Sequence, residues 1–142
     1  MGISMVPDFL PPLTVIFVQF FLIYFFLTSM GFLLFRLDIP EVARLFRGVF
    51  NVYFQMVGFT SLVATAVFAA SGRFGFTVEM LLLATAAITA RARVLHCIDA
   101  QQVAWRMGDT AAMRRLRVIH WGVMLANMAI LASVAGSMRH VL

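Results

Sequence analysis

Apolar residues gather in four runs, at 13–35, 49–70, 76–90 and 121–138, separated by polar stretches. The hydrocarbon core of a bilayer takes about 20 residues of helix, so each run reads as a membrane-crossing helix. Pro11 and Pro12 precede the first run, where the N–H groups of a first turn have no intrahelical partner to lose. The second run has an amphipathic lead-in from Pro40, in which Val42, Leu45 and Phe46 oppose Glu41, Arg44 and Arg47. Residues 71–75, with Gly72 and Gly75, form a short breaker before the third run. Residues 91–120 are polar but keep a helical pattern. They predict that the third and fourth helices continue out of the membrane and meet in a tight hairpin. Gly108 suits the position just past a helix end, and Asp109 or Thr110 suits the cap of the next helix. The expectation is a single all-α domain over residues 1–142. It is an integral membrane four-helix bundle with helices 3 and 4 extended into a cytoplasmic helical hairpin at 91–120.

Composition strengthens the membrane expectation. Of the 142 residues 63% are hydrophobic and only 12% charged, and the mean hydropathy is +0.97. A water-soluble chain of this make-up would expose large apolar patches. The formal net charge is +5, and all eleven basic residues are arginine. With no lysine, Schiff-base chemistry and a P-loop are excluded. Arg36, Arg44 and Arg47 fall in the first connection, and Arg91, Arg93, Arg106, Arg114, Arg115 and Arg117 in the third, against only Arg73 and Arg139 on the other side. The positive-inside rule then places connections one and three in the cytoplasm and both termini outside it. The same rule accounts for the basicity without nucleic acid. The segment before residue 13 has no basic n-region, so the first run is expected to be a retained span and not a cleaved signal. The all-arginine usage and short cytoplasmic loops point to a bacterial inner membrane. Cys97 is the one cysteine, so no intramolecular disulfide forms.

Between apolar helices in lipid, small residues allow close approach. Ala84, Ala86, Ala87 and Ala90 mark the third helix; Ala129, Ala132, Ser133 and Gly136 mark the fourth. The first helix carries Phe17, Phe20, Phe21, Phe25, Phe26, Phe32 and Phe35. The expectation is an alanine-lined centre with the phenylalanines toward lipid, or alternatively a phenylalanine-lined groove for a lipid-like ligand.

The hairpin holds the most specific side-chain pattern. Residues equally far from Gly108 lie level across an antiparallel pair, so His96 faces His120 about 18 Å from the turn at helical rise, and Asp99 faces Arg117. On each helix the two are three residues apart and share a face. One reading is a polar seam with Asp99 paired to Arg117. A second is a soft metal site from His96, Cys97, His120 and Met124, whose imidazole, thiolate and thioether donors suit copper(I) or zinc. A third is a haem ligand drawn from His96 or His120, and a fourth is a pH-responsive histidine pair. Within the spans, Glu79 is the one carboxylate, close enough to the outer end of its helix to pair with Arg73 or Arg139. Gln19, Tyr24, Gln55 and Asn127 are candidates for interhelical hydrogen bonds. No HExxH, cysteine-rich metal motif, glycine-rich phosphate loop or nucleophile elbow occurs, so no catalytic residue is assigned.

The stretch from residue 36 to 131 resembles a small four-helix membrane family, the transmembrane-protein-205-like domain of unknown function. The resemblance rests on Ile39-Pro40-Glu41 through Leu45-Phe46-Arg47-Gly48-Val49-Phe50-Asn51-Val52-Tyr53-Phe54, a polar lead-in ending in a Phe-Pro-x-Tyr-like element in which Asn51 stands where proline is usual. It rests also on Arg114-Arg115-Leu116-Arg117-Val118-Ile119-His120, followed by Asn127. It implies a four-helix membrane fold with a cytoplasmic hairpin, an interest in His120 and Asn127, and no established reaction. The function expected from all of this is a structural or accessory subunit, partnered by the bilayer and by other membrane subunits or copies of itself. The alternatives are a haem- or metal-binding redox protein using His96 and His120, and an oligomeric channel or transporter component.

Overall fold

A computed structural model describes residues 6–141, and among them every regular element is helical. The helices are α1 (Leu10–Leu34), α2 (Pro40–Ala70), α3 (Phe74–Arg106) and α4 (Ala112–Val141). All four are long and apolar enough to cross a membrane. The lead-in at Pro40 is part of α2, and both polar halves of the predicted hairpin are continuous with their apolar runs.

Local chemistry sets each boundary. α1 ends at Phe35, whose backbone is extended. Ile39, held extended before proline, delivers the chain to Pro40 at the start of α2. Two glycines with left-handed backbone, Gly72 (φ 71°) and Gly108 (φ 92°), close α2 and α3. Both closures have the same paired bonds. The Gly72 and Arg73 N–H groups reach the Ala69 and Phe68 carbonyls at 3.1 and 3.0 Å, and those of Gly108 and Asp109 reach Trp105 and Ala104 at 3.0 Å each. This pattern satisfies the last free carbonyls of a helix and needs a residue without Cβ strain at its centre. The next cap falls to Asp109, whose Oδ1 accepts the Ala111 N–H at 3.0 Å.

α1 packs on α2 and α4, and α3 packs on α2 and α4. Consecutive helices therefore run antiparallel around a ring, and the turns at residues 35–39 and 107–111 share one end. Large aromatic side chains fill the middle of that ring. Phe25 stacks on Tyr53 at 3.8 Å between ring centres, and Phe46 meets Phe32 and Phe50 at 5.3 and 4.5 Å. The alanine-centred expectation is corrected here. Ala84 and Ala87 are buried, with Ala87 against Gly58 where α2 and α3 approach closely. Ala86, Ala129, Ala132, Ser133 and Gly136 instead face outward. A ring of four helices leaves a central space that alanines cannot fill, and α2 supplies Phe46, Phe50, Phe54 and Phe68 to fill it. α1 divides its phenylalanines: Phe25 and Phe32 point inward, while Phe17, Phe20 and Phe35 remain exposed.

Candidate functional site

Besides Thr14 and Ser29 on α1 and Ser61 on α2, the buried polar residues of the bundle interior lie along one face of α4. His120 and Asn127 stand seven residues apart, two turns along the same face, and are 0% and 1% exposed. His120 Nε2 meets Ser29 Oγ at 2.7 Å. Asn127 accepts the Tyr53 hydroxyl at 2.7 Å and donates its amide to the Leu22 carbonyl at 3.1 Å. Leu22 and Ser29 are also seven apart, so each step along α1 is matched by an equal step back along α4. Arg117, one turn before His120, continues the ladder by donating to the carbonyls of Phe32 and Phe35. Carbonyls at a helix C-terminus lack intrahelical donors, and a cation there also complements the helix dipole. Arg117 on α4 thus caps α1.

The Ser29–His120 pair has the spacing of a nucleophile and base, but it lacks the rest of such a site. Both residues are wholly buried. The edges of Phe46 and Phe50 enclose the imidazole at 5.1 and 6.0 Å between ring centres. Its Nδ1 has no hydrogen-bond partner among the described residues, so no third group orients it. The arrangement joins α1 to α4.

The second polar set joins α2 to α3. Arg47 grips Asp99 with two bonds, at 2.6 and 3.0 Å. Arg91 donates to Asn51 Oδ1 at 2.9 Å, and the Gln102 amide reaches the Ala43 carbonyl at 3.2 Å. α3 and α4 meet through Gln101 with Arg115 at 2.7 Å and Glu79 with Ser137 at 2.9 Å. At the ring's arginine-rich end, Arg36 holds the Asp38 carboxyl below its ordinary 3.8 by direct hydrogen bonds.

The predicted seam of His96, Asp99, Arg117 and His120 does not form. The level was right: Gln101–Arg115 and Glu79–Ser137 are each equidistant from Gly108. The helical phase was not, because α3 and α4 each have two neighbours. Asp99 turns to α2 and Arg117 to α1, while His96 faces outward and His120 inward. The donors proposed for a metal divide the same way: His96 and Cys97 are exposed, His120 and Met124 buried. No group of three or more histidine, cysteine or acidic residues converges among the described residues. The edges of Phe46 and Phe50 pack against the His120 ring, and His96 lies exposed on another helix. Glu79 takes the Ser137 hydroxyl in place of the expected arginine. Gln19 is half-buried and Gln55 exposed. Reasoning from sequence missed Ser29 as a partner of His120 and Tyr53 as a partner of Asn127. The matched spacing of seven on α1 and α4 was the available signal. No family model, curated protein or solved structure matches this chain.

Proposed function

We propose that the chain is an integral membrane module that works as a structural or accessory subunit by pairing with a second copy of itself through α4. The observation that carries this reading is a heptad of small residues on the outer face of that helix. Gly122, Ala126, Ala129, Ser133 and Gly136 follow alternating steps of four and three, and all five are exposed. Such spacing lines up along one seam, and small residues there let two helix backbones approach closely in lipid. A Cβ at Gly122 or Gly136 would meet nothing of this chain within 4 Å; Gly122 and Ala126 border the hollow between α3 and α4, and Ala129, Ser133 and Gly136 carry the seam beyond it. In the same reading the arginine-rich end faces the cytoplasm of a bacterial inner membrane, the tips of α3 and α4 form a cytoplasmic hairpin, and the termini lie across the membrane. The resemblance to the transmembrane-protein-205-like family belongs to this proposal as a bundle of the same kind.

A two-fold axis along the membrane normal sets each α4 position against its own copy. Ala129→Cys in a Cys97→Ser background is expected to form an oxidised dimer in native membranes, whereas Val78→Cys, exposed on α3, is not. Gly136→Leu should reduce the particle in mild detergent to a monomer of unchanged helical content, with the melting temperature lowered only by the lost pairing. A monomer with unmodified α4, or equal cross-linking at both cysteine positions, removes the self-pairing. Co-purification of a different membrane subunit with that monomer replaces it by the hetero-complex form of the same role.

A further inference from the structure

We propose that the arginine-rich end of the bundle holds the phosphodiester headgroup of an anionic phospholipid, in a pocket between the start of α2 and the end of α3. This rests on the membrane reading above, though not on the α4 pairing. The pocket has a volume of about 600 Å³, and its polar lining includes Arg44, Arg47, Arg106, Gln102 and Trp105. A shallower pocket beside it shares Leu37, Asp38, Trp105 and Met113 and adds Arg36, Arg114 and Arg117. Six arginines and one aspartate thus line two adjoining hollows.

The pairing of these arginines divides the structural from the available. Arg36 is bound to Asp38, Arg47 to Asp99, and Arg117 to backbone carbonyls. Among the described residues, Arg44, Arg106 and Arg114 have no hydrogen bond or ion pair. Arg44 and Arg106 line the larger pocket from two different helices. Two guanidinium forks opening on one cavity, with Asp38 and Asp99 already engaged and Glu41 outside the lining, suit a phosphate's several acceptor oxygens.

Three observations favour a lipid over a soluble phosphate. Exposed Leu34, Phe35, Ile39 and Leu45 carry an apolar outer surface up to this end of α1 and α2. Trp105, a residue type that settles at headgroup level, lines both hollows. Arg44 also lies one turn before Gly48, on the same face. Leu45, Gly48, Val49, Val52 and Met56 begin a groove of about 310 Å³ between α1 and α2 that is almost wholly apolar. A second hollow of about 310 Å³ shares Phe21 and Met56 with it and continues toward Thr14 and Val63. The groove begins at Leu45, next in sequence to Arg44, but shares no lining residue with the arginine pocket, so an acyl chain reaches it around the outer side of α2; the occupant joins a negative phosphate to a hydrocarbon tail.

The test titrates the detergent-purified full chain with dioleoylphosphatidylglycerol, with dioleoylphosphatidylcholine and with inorganic phosphate, and reads retained lipid by native mass spectrometry. Phosphatidylglycerol is expected to be retained in preference to phosphatidylcholine, with millimolar phosphate failing to displace it. Each arginine at an anionic surface is worth roughly fivefold in binding, so Arg44→Gln with Arg106→Gln should lower retention about 25-fold. Arg93→Gln, exposed and outside both hollows, should leave it unchanged. Arg44→Lys with Arg106→Lys keeps the charge and should retain most of the preference, which separates loss of binding from loss of fold. Equal retention of the two lipids, or no loss in the glutamine variant, overturns the proposal. Displacement by phosphate reassigns the pocket to a soluble anion and overturns it as well. A chain that stays in solution without detergent fails the membrane reading itself, a different outcome from a detergent-dependent chain that ignores the headgroup.

Discussion

Asn127 serves two neighbours at once, and that sets what its loss does. Its side chain accepts from Tyr53 on α2 and donates to Leu22 on α1. Leucine in its place fills the volume but leaves the buried Tyr53 hydroxyl without an acceptor. The expected cost is about 0.6–2 kcal/mol, the span of interhelical hydrogen bonds in membrane bundles and model peptides. Tyr53→Phe alone orphans the Asn127 oxygen at a similar cost. The double variant removes both polar ends of the same bond, so its penalty should fall below the sum of the single ones by at least about 0.5 kcal/mol. Unfolding titrations in mixed micelles measure all three; strict additivity would show that the bond does not couple the helices. Part of this was legible in advance. Asn127 and His120 are polar residues in an apolar run, and burial of such residues demands partners. Their partners were not legible, because Ser29 and Tyr53 look ordinary on their own helices and become notable only once α1 and α2 are set in register with α4.

The connection between α3 and α4 concentrates its chemistry in Asp109. Its backbone N–H closes α3 on Ala104, one carboxylate oxygen accepts the Ala111 N–H, and the other binds Arg115. The Arg115 hydrogen bond first, and the Ala111 N–H second, hold this carboxyl below its ordinary 3.8. The folded turn therefore prefers the ionised form more than the unfolded chain does. Its contribution is complete above the ordinary value and is lost as pH falls through the depressed one. Amide protection in residues 107–115, taken relative to unstructured peptide at the same pH, should fall on acidification from pH 5 through the depressed range of the Asp109 carboxyl, ahead of protection in the middle of α2. Asp109→Asn should have low protection already at pH 5, with little further change in acid. A parallel loss of protection in all four helices would assign the acid response elsewhere. The turn was readable in the sequence because glycine and aspartate at adjacent positions are restricted to few backbone geometries. The face on which the two helices meet was not, since equal distance from a turn fixes level alone. Phase depends on how each helix satisfies both of its neighbours, as Asp99 does with Arg47 and Arg117 with α1.

On the scale of the whole molecule, the antiparallel ring turns a list of charges into a direction. The turns at 35–39 and 107–111 share one end, so Arg36, Arg44 and Arg47 gather with Arg106, Arg114, Arg115 and Arg117, while Arg73 and Arg139 belong to the other end. In the most apolar window of each helix only 22% to 39% is buried inside the chain, so most of the apolar surface needs lipid or another apolar partner. Short arginine-bearing connections resist translocation, and the bias is counted close to the ends of the spans. A phosphatase reporter inserted after Gly108 should therefore be inactive, and one fused after Leu142 active, in a bacterial host. A fluorescent protein that matures only in the cytoplasm should give the reverse pattern. Four spans require both termini to lie on one side, so a reporter before Leu10 must agree with the one after Leu142. Insertion of three arginines beside Gly72, with Arg44, Arg106 and Arg114 changed to glutamine, should raise the inverted fraction. Among the described residues at that end of the bundle, those three arginines have no hydrogen bond or ion pair, so their removal leaves the Arg47–Asp99 pair and the Arg117 cap to hold the fold. Unchanged orientation after that exchange would mean that insertion of α1, not the distribution of arginine, sets the direction of the bundle.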